Sequence, residues 1–192
     1  MIVVIEGGDQ AGKMTQSAML AQALAGMGKK VRQFDFPDYT TPIGAEIKRF
    51  LERKQEYAPQ VIHCLLAANR WERARDIQDA QKNSDILIMN RYYHSNIVYG
   101  ITNGVDKAWL ENLDAGLPEA DSIILLNITA EESFRRKSLG RDRFEGDREF
   151  ITHVLDAYLN AARKGGWNVV DASKSKDDIH EEILQIIERA GT

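Results

Sequence analysis

Apolar and polar positions divide this chain into short apolar runs separated by longer stretches with helical spacing. Ile2 to Ile5, Ile86 to Met89 and Ile123 to Leu126 are apolar throughout, the pattern of strands buried on both faces. Val31 to Phe36 and Trp167 to Val170 add two strand candidates. Leu20, Leu24 and Met27 recur at helical spacing until Gly28, Lys29 and Lys30 stop the helix. Thr41 caps the next helix, with Pro42 in its first turn and Ile43, Ile47, Phe50 and Leu51 on one face. Pro59 opens a long helix to about Lys82. Its apolar face, Val61, Ile62, Leu65, Leu66, Ala68 and Trp71, is wide enough for two partners, the sheet and another subunit. A loop with a short helix reaches Asn103, and Ala108 to Leu113 is helical. Thr129 with Glu132 forms a capping box, Phe150, Val154 and Tyr158 carry a further helix, and Ile179, Ile183, Ile186 and Ile187 the last. Strands alternating with helices predict an α/β fold with a five-stranded parallel sheet flanked by helices in three layers. No linker divides residues 1–192, so one domain is expected.

The first strand runs into Gly7-Gly8-Asp9-Gln10-Ala11-Gly12-Lys13-Met14-Thr15, and Lys13 opens a helix. Strand, glycine turn, lysine and helix make a phosphate-binding loop. Its amides point at an oligophosphate, the helix N-terminus adds partial positive charge, and the lysine reaches the outer phosphates. Met14 occupies the position where a hydroxyl normally binds magnesium. This stretch, residues 7–15, is read as the ATP site.

Composition narrows the class. Charged residues of both signs and a formal net charge of −4 argue against a nucleic-acid-binding surface and suit a soluble enzyme. The single cysteine, Cys64, can form no intrachain disulfide, which fits a cytoplasmic setting. No apolar run approaches the ~20 residues that span a bilayer, and the first strand leaves no room for a leader. The histidines show no ligand spacing, so no structural metal is implied.

In a parallel sheet, ligands sit beyond the carboxyl ends of the strands. Those ends carry the glycine loop, Phe36-Pro37-Asp38 and Asn90-Arg91-Tyr92. Guanine-reading signals are missing, and the third strand ends in Asn90 rather than a magnesium-holding aspartate. Arginines suit a second anionic substrate, since phosphoryl transfer depends on positioning and on neutralising phosphate oxygens. Arg70, Arg91, Arg141 and Arg143 are well placed; Arg73, Arg75, Arg135 and Arg136 read as solvated helix faces. Leu139 to Asp147, charged and glycine-bounded, reads as a mobile flap, with the lid at about residues 138–148.

With these segments in view, the chain resembles the thymidylate kinases, of the P-loop kinase fold. The similar stretches are residues 6–13, 36–44, Ala-Ala-Asn-Arg-Trp-Glu at 67–72, Asn-Arg-Tyr-Tyr-His-Ser at 90–95, residues 116–121 and the flap. The resemblance implies transfer of the ATP γ-phosphate to dTMP in a magnesium-dependent homodimer. It gives Lys13 to the ATP phosphates, Asp9 to the 3′-hydroxyl, Arg70 to the acceptor's base and phosphate side, and Arg91 to a bridge between the two nucleotides. Phe36, Pro37 and Tyr39 line the acceptor site. Ser95 falls near the base, and Tyr99 lies under the sugar unless it is simply a core tyrosine. Lys13, Arg91, Arg141 and Arg143 are the catalytic candidates; with Gln10 uncharged, Arg141 is the candidate to meet the transferring phosphoryl group.

Several positions depart from the family. Met14 replaces the magnesium hydroxyl, and Asn90 replaces an aspartate tied to the metal, leaving it a contact through water. Tyr39 stands in place of an arginine, and Leu66 in place of a phenylalanine that stacks on thymine. Two alternatives stay open: a kinase of another deoxynucleoside monophosphate, and a nucleotide-binding protein with weak catalysis.

Overall fold

A computed structural model describes residues 1–137, 142–144 and 146–190. The apolar runs become β1 (Ile2–Gly7), β2 (Val31–Asp35), β3 (Ile86–Asn90), β4 (Ser122–Asn127) and β5 (Asn168–Asp171). They form one five-stranded sheet in the order β2-β3-β1-β4-β5, with every pairing parallel. The unbroken apolar reading of β1 is explained by its central place: Ile2, Val3, Val4 and Ile5 are all fully buried.

Alternation along the strands sends side chains into two cores. Val3, Ile5, Ile86, Ile88, Ile124 and Leu126 pack against Leu20 and Leu24 of α1 (Lys13–Gly26) and Ile179, Ile183 and Ile187 of α9 (Lys176–Ala190). On the opposite face Ile2, Val4, Phe34, Leu87 and Met89 meet Ile77 of α4 (Ala74–Asn83) and Tyr92. Beside them Leu125 joins Val98 and Tyr99 of α5 (Tyr93–Thr102) and Val154 and Tyr158 of α8 (Arg148–Gly165). The remaining helices are α2 (Pro42–Leu51), α3 (Pro59–Glu72), α6 (Lys107–Leu113) and α7 (Ala130–Arg136).

Three expectations need correction. The long helix from Pro59 breaks at Arg73 into α3 and α4. Its amide bonds the Arg70 carbonyl, an i−3 turn, and its guanidinium turns to Asp38 at 3.4 Å and Asp76 at 3.0 Å. Neither glycine nor proline marks this break. Moreover, α3 packs chiefly against α2 and α5 rather than the sheet. Residues 93–102, expected as loop with a short helix, are helical throughout.

Candidate active site

The glycine turn ends β1 with Gly7 at φ +145 and Gly12 at φ +91. A Cβ on Gly7 would lie 2.6 Å from the Leu126 carbonyl oxygen, so a larger residue would push the loop off β4. No acidic residue occupies the first turn of α1, which leaves its positive end available to an anion. Lys13 is buried and reaches back to the Gly8 carbonyl at 2.7 Å, so its charge lies across the loop. From the other side Ser133 Oγ donates to the Asp9 carbonyl, and Arg136 to the carbonyls of Gln10 and Ala172. Arg136 is therefore a brace of the loop rather than a solvated helix face, whereas Arg135 is 76 % exposed.

One cleft beside this loop is lined by Asp9, Phe36, Pro37, Tyr39, Leu66, Arg70, Arg91, Ser95 and Tyr99. The structure thus brings together the residues assigned to the acceptor nucleotide. It adds Tyr92, from the cluster at the end of β3, and Leu51, Asn96, Asp142 and Phe144, which sequence reasoning did not assign to a ligand. The cleft's outer wall is set by α3. Asn69, fully buried, accepts from the Asp38 amide and donates to Thr41 Oγ1 and Glu72, holding residues 36–41 against the helix. Gly44 is required there, because a Cβ would meet the Asp38 carbonyl oxygen at 1.7 Å.

Asp9 and Arg91 form an ion pair where loop and cleft meet. Tyr99 donates its hydroxyl to the second Asp9 oxygen at 2.9 Å. Burial resists ionisation of Asp9, but Arg91, Lys13 and the Tyr99 hydrogen bond outweigh it and hold the carboxyl below its usual range. Arg91 has φ +62 and Gln10 φ +67, uncommon for residues with a Cβ. Strain of this kind persists where surrounding contacts over-determine a conformation. For Arg91 those contacts are Asp9, Ser95 Oγ at 3.1 Å and Tyr158 Oη at 3.1 Å. Behind them the fully buried Glu6 accepts from the amides of Tyr92 and Ser95 and from the Tyr158 hydroxyl. Tyr99 is both alternatives at once, a core residue 7 % exposed and part of the cleft wall.

Arg70 reaches the cleft from α3 while its Nε and Nη2 donate to both oxygens of Asp114, each at 2.7 Å. A buried bidentate partner fixes the guanidinium plane and leaves Nη1 to a ligand. His94, behind Tyr92 and Tyr93 and edge-on to Trp167 at 5.2 Å, is lowered to about 4 mainly by burial.

The remaining sequence candidates divide. Met14 and Thr15 are exposed at the start of α1, Met14 by 71 %. Tyr39 lies 45 % exposed at the rim. Arg141 lies outside the described residues. Arg143 is not brought to the phosphate loop: it pairs with Glu56, donates to the Phe50 carbonyl and lies 4.3 Å over the Phe50 ring. That places its charge at the C-terminal end of α2, where orphan carbonyls attract a cation. Phe144 consequently packs against Phe50, Tyr99 and Phe150 and closes one side of the cleft.

The model of the family described as "Thymidylate kinase" matches residues 5–183. Thymidylate kinase of Schizosaccharomyces pombe is 33 % identical over 190 residues, covering 97 % of this chain and 90 % of that protein. The human thymidylate kinase is 32 % identical over 197 residues, covering 98 % and 90 %. A solved structure of thymidylate kinase from Candida albicans matches with a TM-score of 0.85 and 31 % identity, over 98 % of this chain and 91 % of that one.

Proposed function

The chain belongs to the thymidylate kinase family, and from that premise we propose that it transfers the γ-phosphate of ATP to dTMP, giving dTDP and ADP. The observation that carries the reading is the Asp9–Arg91 pair, which joins a phosphate loop to a cleft lined by aromatic and charged side chains. ATP phosphates lie against the amides of residues 7–13 and Lys13. The dTMP base lies between Leu66, Phe36 and Arg70, its sugar over Tyr99, and its phosphate toward Arg91. A phosphate oxygen of dTMP attacks the γ-phosphorus, and the bond to the ADP oxygen breaks. Arg91, tethered through Ser95 and Tyr158, neutralises oxygens of both nucleotides as they approach. Asp9 exchanges its arginine for the 3′-hydroxyl. From the sequence alone, Arg141 remains the candidate cation for the transferring group.

Magnesium is the metal that the family implies. Among the described residues no group of three or more His, Cys, Asp and Glu could hold a metal ion, so the nucleotide must bring most of the ligands. The residues present fit that arrangement. Asn90 Oδ1 is buried and has no hydrogen-bond partner among the described residues, a hard oxygen suited to a metal-bound water. When bound, the ion supplies charge neutralisation at the β- and γ-phosphates.

A parallel coupled assay with ATP, magnesium and dTMP, dUMP, dCMP or dGMP tests the reading. dTMP should be the best substrate, and no turnover with any of them would sink it. A second reading, another deoxynucleoside monophosphate as acceptor, is favoured by Leu66 in the cleft wall where an aromatic is expected. The same assay separates the two.

A homodimer is part of the proposal. Val61, Cys64 and Trp71 of α3 lie exposed at helical spacing, an apolar stripe in which Trp71 is held by its indole N–H to the Leu113 carbonyl. No helix among the described residues is long and apolar enough to cross a membrane. The lone cysteine, Cys64, which can form no intrachain disulfide, supports a cytoplasmic setting.

A further inference from the structure

Met14 and Asn90 leave the metal shell of the donor nucleotide short of a negative charge. The strand next to Asn90 carries one. β2 and β3 pair in parallel with Asp35 directly opposite Asn90, so both side chains leave the same face at the carboxyl ends of their strands. That face carries α1, because Ile86 and Ile88, in step with Asn90, pack in the cluster that holds Leu20 and Leu24. Asp35, Asn90 and the start of α1 therefore lie on one side of the sheet.

Asn90 Nδ2 donates to Asp35 Oδ1 at 2.9 Å. This bond commits the amide nitrogen and leaves Oδ1 as the buried atom without a partner among the described residues. Asp35 otherwise accepts only from Gln33 Nε2, at 3.2 and 3.3 Å, and enters no ion pair among the described residues. A carboxylate only accepts, so it can meet the amide nitrogen but never the amide oxygen, which is left for a donor such as water. Buried orphans are uncommon and costly unless something else meets them.

We propose that Asp35 supplies the charge that Asn90 lacks. Asn90 Oδ1 and the Asp35 carboxylate together accept hydrogen bonds from water on the nucleotide's magnesium ion. The inference rests on the reading of magnesium–ATP as the phosphoryl donor. An amide at position 90 suits the role, since it donates to Asp35 and accepts from water at once. A carboxylate there would face Asp35 directly and repel it whenever the metal is absent. The acid has in effect moved one strand along the sheet.

The test is a manganese titration of the protein saturated with ADP, with free Mn²⁺ read from its paramagnetic resonance signal. Outer-sphere partners are worth ~10–100-fold in metal affinity, so Asp35→Asn should weaken Mn²⁺ about tenfold or more. ADP binding in EDTA should stay as in the parent. Moving the charge back, as Asp35→Asn with Asn90→Asp, should restore Mn²⁺ to within about threefold of the parent, an effect that general damage to the strand would not reverse. Asp35→Ser serves as the second variant if Asp35→Asn folds poorly. Unchanged Mn²⁺ affinity in either single variant overturns the role of Asp35 alone. Parent protein that binds no Mn²⁺ with ADP overturns the metal reading itself.

Discussion

At the scale of single residues, what decides behaviour here is which charges are buried and who faces them. His94 is 9 % exposed and lowered from 6.5 to about 4, mainly by burial; Arg70 also disfavours its proton, while Glu6 and Asp114 favour it. The unfolded chain therefore binds this proton first as pH falls. The contribution is complete above about pH 6.5 and is lost progressively down to about pH 4, on the order of 3 kcal/mol across that window. Stability measured by urea unfolding should fall between pH 7 and 4.5, and His94→Gln should flatten the curve. An imidazole that titrates near 6.5 by NMR would contradict the burial argument. Residues of this kind were the hardest to foresee. Lys13 stands in a motif whose spacing carries its chemistry, and the resemblance to the thymidylate kinases pointed to Asp9, Arg70, Arg91 and Tyr99. Glu6, Asp114 and Tyr158 act through partners far along the chain, Tyr158 on Glu6 across 152 positions, and no local pattern encodes such a meeting. Arg136 was misjudged for the same reason, since the carbonyls it braces belong to other segments.

At the scale of elements, strands were legible because a central parallel strand is apolar on both faces. The helices were legible where proline, threonine and glycine marked their ends. The break at Arg73 was not, because no glycine or proline marks it; what accompanies it is an i−3 turn and ion pairs with Asp38 and Asp76. The flap divides by element too. Arg143 is anchored on α2, whereas Arg141 is known from sequence alone. Arg141→Ala should lower kcat by ~10³ with little change in dTMP affinity, as for arginines that neutralise a transferring phosphoryl group. Arg143→Ala should instead act on the cleft wall through Phe144, raising the KM for dTMP more than it lowers kcat. Steady-state kinetics on both variants decides the division. If Arg143→Ala lost kcat with KM unchanged, the anchoring role assigned to it here would be wrong.

At the scale of the whole molecule, one sheet carries the glycine loop and the cleft at its carboxyl edge, and α3 keeps an exposed apolar stripe. Sedimentation of the parent should show a dimer, and Trp71→Glu with Val61→Glu should shift it to monomer while leaving the fold intact by circular dichroism. A monomeric parent at tens of micromolar would remove the proposed subunit contact. The Asp9–Arg91 pair has a consequence at this scale as well. If the acceptor's hydroxyl takes Asp9 and phosphates take Arg91, as proposed, neither nucleotide enters an independent site, because each competes for one member of the same pair. The first ligand bound has to break that pair, and the second finds it already broken. The two affinities are then linked, and linkage between binding equilibria is reciprocal. Whatever factor dTMP gains from bound ADP, ADP must gain from bound dTMP, and calorimetry in both orders of addition should return one and the same number. Arg91→Lys, which loses the fork that meets two partners at once, should bring that factor toward unity.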